Sequence, residues 1–178
     1  MEHLSASNYL KLAFAIILTI YFASIAYNPM AGSFMDMVDL PIHETGHLLF
    51  RILGEFTGIA GGSLFQVIFP AVFVGYFIWH YKYYSASIVL FWVGQSIINV
   101  YIYAQDAVVM QLLLTSGMTG SEGGFHDWNY MLTGTGLIGY TKSIAGMIRL
   151  VGTFTIIIAA AMSIYHSFQP SAEEFEEL

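Results

Sequence analysis

The sequence predicts an all-α fold, a polytopic transmembrane helical bundle of about five spans. Three observations carry that reading. Of 178 residues, 57% are hydrophobic and only 10% are charged, where a soluble globular domain carries roughly 25% charged residues. The mean hydropathy is +0.67. The apolar residues also fall into runs long enough to cross a bilayer core, which takes about 20 helical residues. So few charges cannot cover a water-soluble surface for a chain of this size.

The spans are expected at about 9–27, 34–53, 64–80, 86–106 and 147–168. Tyr9 to Tyr27 is nearly unbroken in apolar character and reads as a retained first helix. Asn28-Pro29 followed by Gly32 makes a turn. The second apolar segment, Phe34 to Leu53, is interrupted by Asp36, Asp39 and Pro41. Either a helix capped by Asp39 starts there, or a longer helix kinks there. The glycine-rich stretch from Gly54 to Gly62 reads as a turn or re-entrant loop. Leu64 to Trp79 is the third span, followed by an interfacial belt, His80-Tyr81-Lys82-Tyr83-Tyr84. In the fourth span Gln95, Asn99 and Asp106 are spaced by four and seven, so they share one helix face. Such a stripe belongs against protein or a wet cavity, because facing lipid is costly. A glycine-rich loop, 115–146, joins spans four and five, and in it Asp127 can cap a short helix from Trp128 to Leu132. Together residues 1–169 form one transmembrane domain, followed by an acidic tail, 170–178.

Absence of cysteine excludes thiolate metal sites, cysteine nucleophiles and disulfides together. The net charge is −7, and Glu173, Glu174, Glu176 and Glu177 of the tail account for four of the negative charges. The five Lys and Arg are scattered singly, so no nucleic-acid footprint is present. Expected partners are membrane lipid and a membrane-protein or peptide substrate. The oligomeric state is not legible.

The chemistry centres on His43-Glu44-Thr45-Gly46-His47, an HExxH motif. Helix positions i and i+4 share a face, so His43 and His47 can present two imidazole nitrogens to one metal ion. Glu44 then stands where it can take a proton from water at that metal. Catalytic zinc takes three protein ligands and leaves one position open. Candidates for the third are His126 and Asp106, then Asp127, which is also a candidate for orienting a ligand from behind. His126 is slightly preferred, being the better zinc ligand by type and lying on an adaptable loop. Gln66 and Asn99 are membrane amides that could hold a substrate backbone or an oxyanion.

Five spans would place the termini on opposite sides. Lys11, Arg51, Lys142 and Arg149 then fall on the N-terminal side and Lys82 alone on the other. The positive-inside rule makes the N-terminus cytoplasmic and the C-terminus external in a multi-pass protein of the cell membrane. The same arrangement brings His47, Asp106 and His126 to one side.

An HExxH within an apolar span resembles the site-2 protease family of intramembrane zinc metallopeptidases. The resemblance implies a third ligand from an aspartate on a later helix preceded by an asparagine, which carries over to Asp106 with Asn99. It departs at Ala107, where the family has glycine, and in lacking the family's proline. Residues 40–132 also resemble a divergent group of small bacterial membrane proteins that combine HExxH, Gly-Gly with a following Gln, Asp-Ala and His-Asp-Trp. The function expected is hydrolysis of peptide bonds in membrane-embedded or juxtamembrane segments, with Zn2+ as cofactor and Glu44 as general base. The alternatives are a non-proteolytic zinc-binding membrane protein and a zinc hydrolase of a lipid or small amide or ester.

Overall fold

The computed structural model describes residues 5–169. The acidic tail lies outside them. Among the described residues the chain is all-α, with helices α1 (Ala6–Tyr27), α2 (Phe34–Phe50), α3 (Glu55–Trp79), α4 (Tyr83–Gln105), α5 (Asp127–Gly134) and α6 (Thr141–Ser167), joined by short 3-10 turns. α1, α3, α4 and α6 are long and apolar enough to cross a membrane. At 1.5 Å per residue the 22 residues of α1 reach about 33 Å, against a hydrocarbon core of about 30 Å.

Of the five expected spans, α2 is the one that is not among the helices long and apolar enough to cross. Asn8 Nδ2 donates to the Ser167 carbonyl oxygen at 2.8 Å, so the start of α1 meets the end of α6. Near the same end, Tyr84 Oη donates to the Lys11 carbonyl, next to the start of α4. At the other end Arg149 of early α6 donates to the carbonyls of Ala26 and Tyr27. The start of α1 and the end of α6 thus lie at one end of the bundle. α2 packs along the first half of α3 and against α4. The cause is its composition: 17 residues that include Asp36, Asp39, His43, Glu44 and His47 hold too many polar groups to meet lipid. The meeting of Asn8 with Ser167 does not fit the expectation of opposite sides for the two ends of the described chain. The basic residues now divide as Lys11 and Lys82 at one end against Arg51, Lys142 and Arg149 at the other, and that count no longer orients the N-terminus.

α2 starts at a capping box in which the Ser33 N–H donates to the Asp36 carboxylate at 2.6 Å. Pro41 lies inside the helix and does not start it. Thr45 Oγ1 donates back to the Pro41 carbonyl at 2.7 Å. The stretch expected as a turn at 54–62 is instead the first part of α3, because only Gly54 leaves the helical region (φ 111°). The glycines after it serve helix packing. A Cβ on Gly46 would collide with the Gly61 carbonyl, and one on Gly61 would stand 2.5 Å from Phe50 Cβ. α2 and α3 thus touch backbone to backbone, as small residues allow in membranes.

α4 is the central post, packed on α1, α3 and α6. Phe22, Ile25, Ala26, Phe91, Ile98, Ile156 and Ala159 form its apolar core with α1 and α6. The long polar loop is not structureless. Asp106 closes α4 by accepting the Gln111 and Leu112 N–H groups at 3.0 and 2.9 Å. Leu113 and Thr119 pair as an antiparallel bridge, and α5 follows.

Candidate metal centre

His43 and His47 lie one turn apart on α2, and Asp127 is the first residue of α5. Asp127 Oδ2 stands 3.2 Å from His43 Nε2 and 3.2 Å from His47 Nε2. The three ligand atoms all lie within 4.8 Å of one another. Ligand atoms about 2.0–2.1 Å from a tetrahedral centre are roughly 3.3–3.4 Å apart, so both carboxylate edges have the length such a centre needs. The group can hold a metal ion.

The hydrogen bonds behind the histidines decide which ring nitrogens face inward. Asp36 is a carboxylate that accepts from Ser33 N–H, Gln95 Nε2 and Asn99 Nδ2. Because Asn99 spends its NH2 on Asp36 at 3.0 Å, its Oδ1 faces Gln66 Nε2 at 2.8 Å. Gln66 Oε1 is then left for His43 Nδ1, at 3.0 Å. The amide orientations thus follow from an acceptor-only group at the start of the chain. His43 must carry its proton on Nδ1 and point the Nε2 lone pair at Asp127. His47 does the same by donating Nδ1–H to the Gly58 carbonyl at 2.9 Å. Two imidazole nitrogens and a carboxylate oxygen converge on one point, an arrangement that a shared cation can satisfy. Such outer partners fix tautomer and ring orientation in metal-binding histidines.

Room for that cation comes from α3. A Cβ on Gly62 would lie 2.6 Å from His43 Nε2 and 2.7 Å from His47 Nε2. Glycine at 62 leaves the space in front of both nitrogens open, while Gly46 and Gly61 hold the two helices close.

The other sequence candidates are placed elsewhere. His126 is not brought to the cluster. Its Nδ1 accepts the Asn129 N–H at 3.2 Å, which makes it the N-cap of α5 in place of Asp127. Its Nε2 faces Asp106 Oδ2 at 3.4 Å, without the alignment of a hydrogen bond. Burial pulls the His126 pKa down against the pull of Asp106, so the ring is neutral at pH 7. Asp106 is likewise away from the cluster, tied to His126 and its own loop. Gln66 spends both amide hydrogens, on Asn99 and on Asp39, and Asn99 spends one of its two on Asp36. The loop supplies the third group because α5 is well anchored. Trp128 Nε1 donates to Ser63 Oγ on α3 at 3.1 Å, and Asn129 Nδ2 donates to the Ala107 carbonyl at 2.8 Å. His126, Asp127 and Trp128 therefore cap α5, face the two histidines and anchor α5 in turn.

Asp39, 1% exposed, sits behind Asp36 and accepts from Trp92, Ser96 and Gln66. Sequence reasoning missed the roles of Asp36 and Asp39, treating them as interruptions of a span. Their spacing of three to four residues from one another and from His43 was the available signal.

The cluster forms one wall of a cavity of about 1100 Å³. Glu44, Arg51, Tyr103 and Asn99 supply polar lining, and Met30, Met37, Leu40, Leu112, Leu113 and Phe125 supply apolar lining. Glu44 is exposed to it. Comparison with models of known families, with curated proteins and with solved structures finds no match.

Proposed function

We propose that the protein is an intramembrane zinc metalloprotease of the site-2 protease kind, cleaving membrane-embedded or juxtamembrane peptide segments. The observation that carries the reading is the convergence of His43 Nε2, His47 Nε2 and Asp127 Oδ2 beside Glu44 in one cavity. A donor set of two imidazoles and one carboxylate suits zinc and resembles hydrolytic sites that keep a fourth position open. The metal, when bound, supplies a Lewis acid and makes water nucleophilic near neutral pH.

The chain's own residues do the rest. Gln66 and the Gly58 carbonyl hold both rings, and Ser63, through Trp128, holds α5 and with it Asp127. Glu44 takes the proton of the attacking water and returns it to the departing amine nitrogen. A structural metal site has no use for such a carboxylate. The apolar lining from Met30, Met37, Leu112, Leu113 and Phe125 suits a hydrophobic segment arriving from the bilayer. The aspartate comes from α5 rather than from the end of α4, where the family resemblance put it.

The test is co-expression of single-span reporter proteins with the wild type and with Glu44→Gln. The expected result is cleavage by the wild type alone, with equal zinc content in both purified proteins. Equal cleavage by both overturns the catalytic role of Glu44, and zinc-bound wild type that cleaves nothing across a broad reporter set overturns the protease reading.

A further inference from the structure

Hydrolysis of an amide concentrates negative charge on the carbonyl oxygen, and a site that works well aims a hydrogen-bond donor at that oxygen. Of the two amides suited to the task, Gln66 is bonded to His43, Asn99 and Asp39 with both amide hydrogens spent, and Asn99 is held by Asp36 and Gln66 with one N–H left over. Among the groups lining the cavity on the metal side, Tyr103 has a different standing. It comes from the last turn of α4 and its ring packs edge-on against His43, with centroids 5.8 Å apart. On its other side it lies against His126 at 4.4 Å. The Asp127 backbone N–H donates to the Tyr103 hydroxyl oxygen at 3.0 Å. That bond fixes the oxygen beside the residue that contributes the carboxylate, and it uses only a lone pair. The hydroxyl proton lies beside the Asp127 carboxylate and can turn from it to a substrate oxygen, and Tyr103 lines the same cavity as His43, His47 and Glu44.

We propose that Tyr103 is a catalytic residue that donates its O–H to the developing oxyanion of the substrate carbonyl. The inference rests on the hydrolase reading above and adds the electrophilic partner that the sequence had assigned to Gln66 or Asn99. In the step, the water oxygen bonds to the carbonyl carbon and its proton passes to Glu44. The carbonyl π pair collects on the oxygen, where Tyr103 donates a hydrogen bond. When the pair returns, the C–N bond breaks and the nitrogen takes the proton from Glu44. Tyr103 keeps its own proton throughout.

The test needs no cognate substrate. Wild type and Tyr103→Phe, as full chains in detergent, are loaded with Co2+ and titrated with acetohydroxamate, whose carbonyl oxygen reaches the position of the oxyanion. Visible absorption reports the metal environment, and azide serves as a small ligand that makes no such contact. The expected result is equal Co2+ uptake, equal azide affinity, and acetohydroxamate binding about 10- to 100-fold weaker in Tyr103→Phe, the range for a hydrogen bond to a charged group. Equal acetohydroxamate affinity overturns the proposal. Loss of Co2+ by Tyr103→Phe also overturns it, because the tyrosine would then serve only to hold Asp127. A wild type that takes up no Co2+ overturns the hydrolase reading and Tyr103 with it, so the two failures are distinct.

Discussion

Two helix pairs in this molecule are drawn together by glycine, and they use the closeness differently. Where α4 meets α6, a Cβ on Gly94 would lie 2.6 Å from Ile156 Cγ1, and one on Gly152 would lie 2.9 Å from Ile98 Cδ1. Each glycine there is a hole filled by an isoleucine from the facing helix, and the pair is a packing device. Where α2 meets α3, Gly46 and Gly61 set the same intimate distance, but the space before Gly62 is left to two histidine nitrogens. Lipid supplies no hydrophobic drive between helices, so close packing and interhelical hydrogen bonds must hold such pairs. The first pair is held by packing. The second adds a buried polar chain from Asp36 through Asn99 and Gln66 to His43, and the closeness there sets two histidine nitrogens in a group that can hold a metal ion.

Substitutions can set the two pairs against each other. The largest effect is expected from Asp127→Asn or His43→Ala, which remove a ligand and should cut zinc affinity at least 100-fold; competition with a chromogenic chelator measures it. Next comes Gly62→Ala, whose methyl group would occupy the space before both Nε2 atoms. It should lower zinc affinity at least 10-fold while helicity, read by circular dichroism, stays intact. Gly94→Ala should show the opposite pattern, a lower unfolding temperature in detergent with unchanged zinc per folded chain. If Gly62→Ala binds zinc normally, the glycines of the two pairs do the same job and the contrast collapses.

A smaller effect follows from the polar chain. Asn99→Leu should lower zinc affinity by about 10-fold, in the range for outer hydrogen-bond partners of metal ligands. Asn99→Asp tests the logic more closely, because a second carboxylate beside Asp36 breaks the order of donors and should not rescue. The smallest effect concerns the loop. Glu122 accepts from the Thr119 N–H and hydroxyl, which holds its carboxyl below the ordinary 4.5. A depressed folded-state pKa gives stability that is present above 4.5 and lost as pH falls through the lower, folded value. The protection of the Thr119 amide, its exchange measured against the intrinsic rate at each pH, should therefore fall at acid pH in the wild type, with Glu122→Gln already low and flat with pH.

The helical bundle was legible because composition and apolar run length are one-dimensional signals. The HExxH was legible because i and i+4 are neighbours on any helix. What the chain did not reveal depends on contacts distant in sequence. α2 looked like a span because its run of apolar residues was long enough, but the helix that forms has 17 residues and carries Asp36, Asp39 and Glu44, and it is not among those apolar enough to cross. The glycines at 58–62 read as a turn by local preference, whereas tertiary packing keeps them helical. The choice between His126 and Asp127 turned on a single residue step. His126 is the better zinc ligand by type, yet the start of α5 needs an acceptor for the Asn129 N–H, and filling that role turns its ring toward Asp106 and leaves Asp127 facing the histidines.

The central claim is the ligand set, and zinc content measures it most directly. Purified wild type, Asp127→Ala, Asp106→Ala and His126→Ala should be compared by mass spectrometry for zinc per folded chain. We expect about one zinc in the wild type, none in Asp127→Ala and zinc retained in Asp106→Ala. His126→Ala should keep zinc with reduced affinity, through its cap on α5. Zinc retained by Asp127→Ala and lost from Asp106→Ala, or a wild type that binds none, would contradict the account.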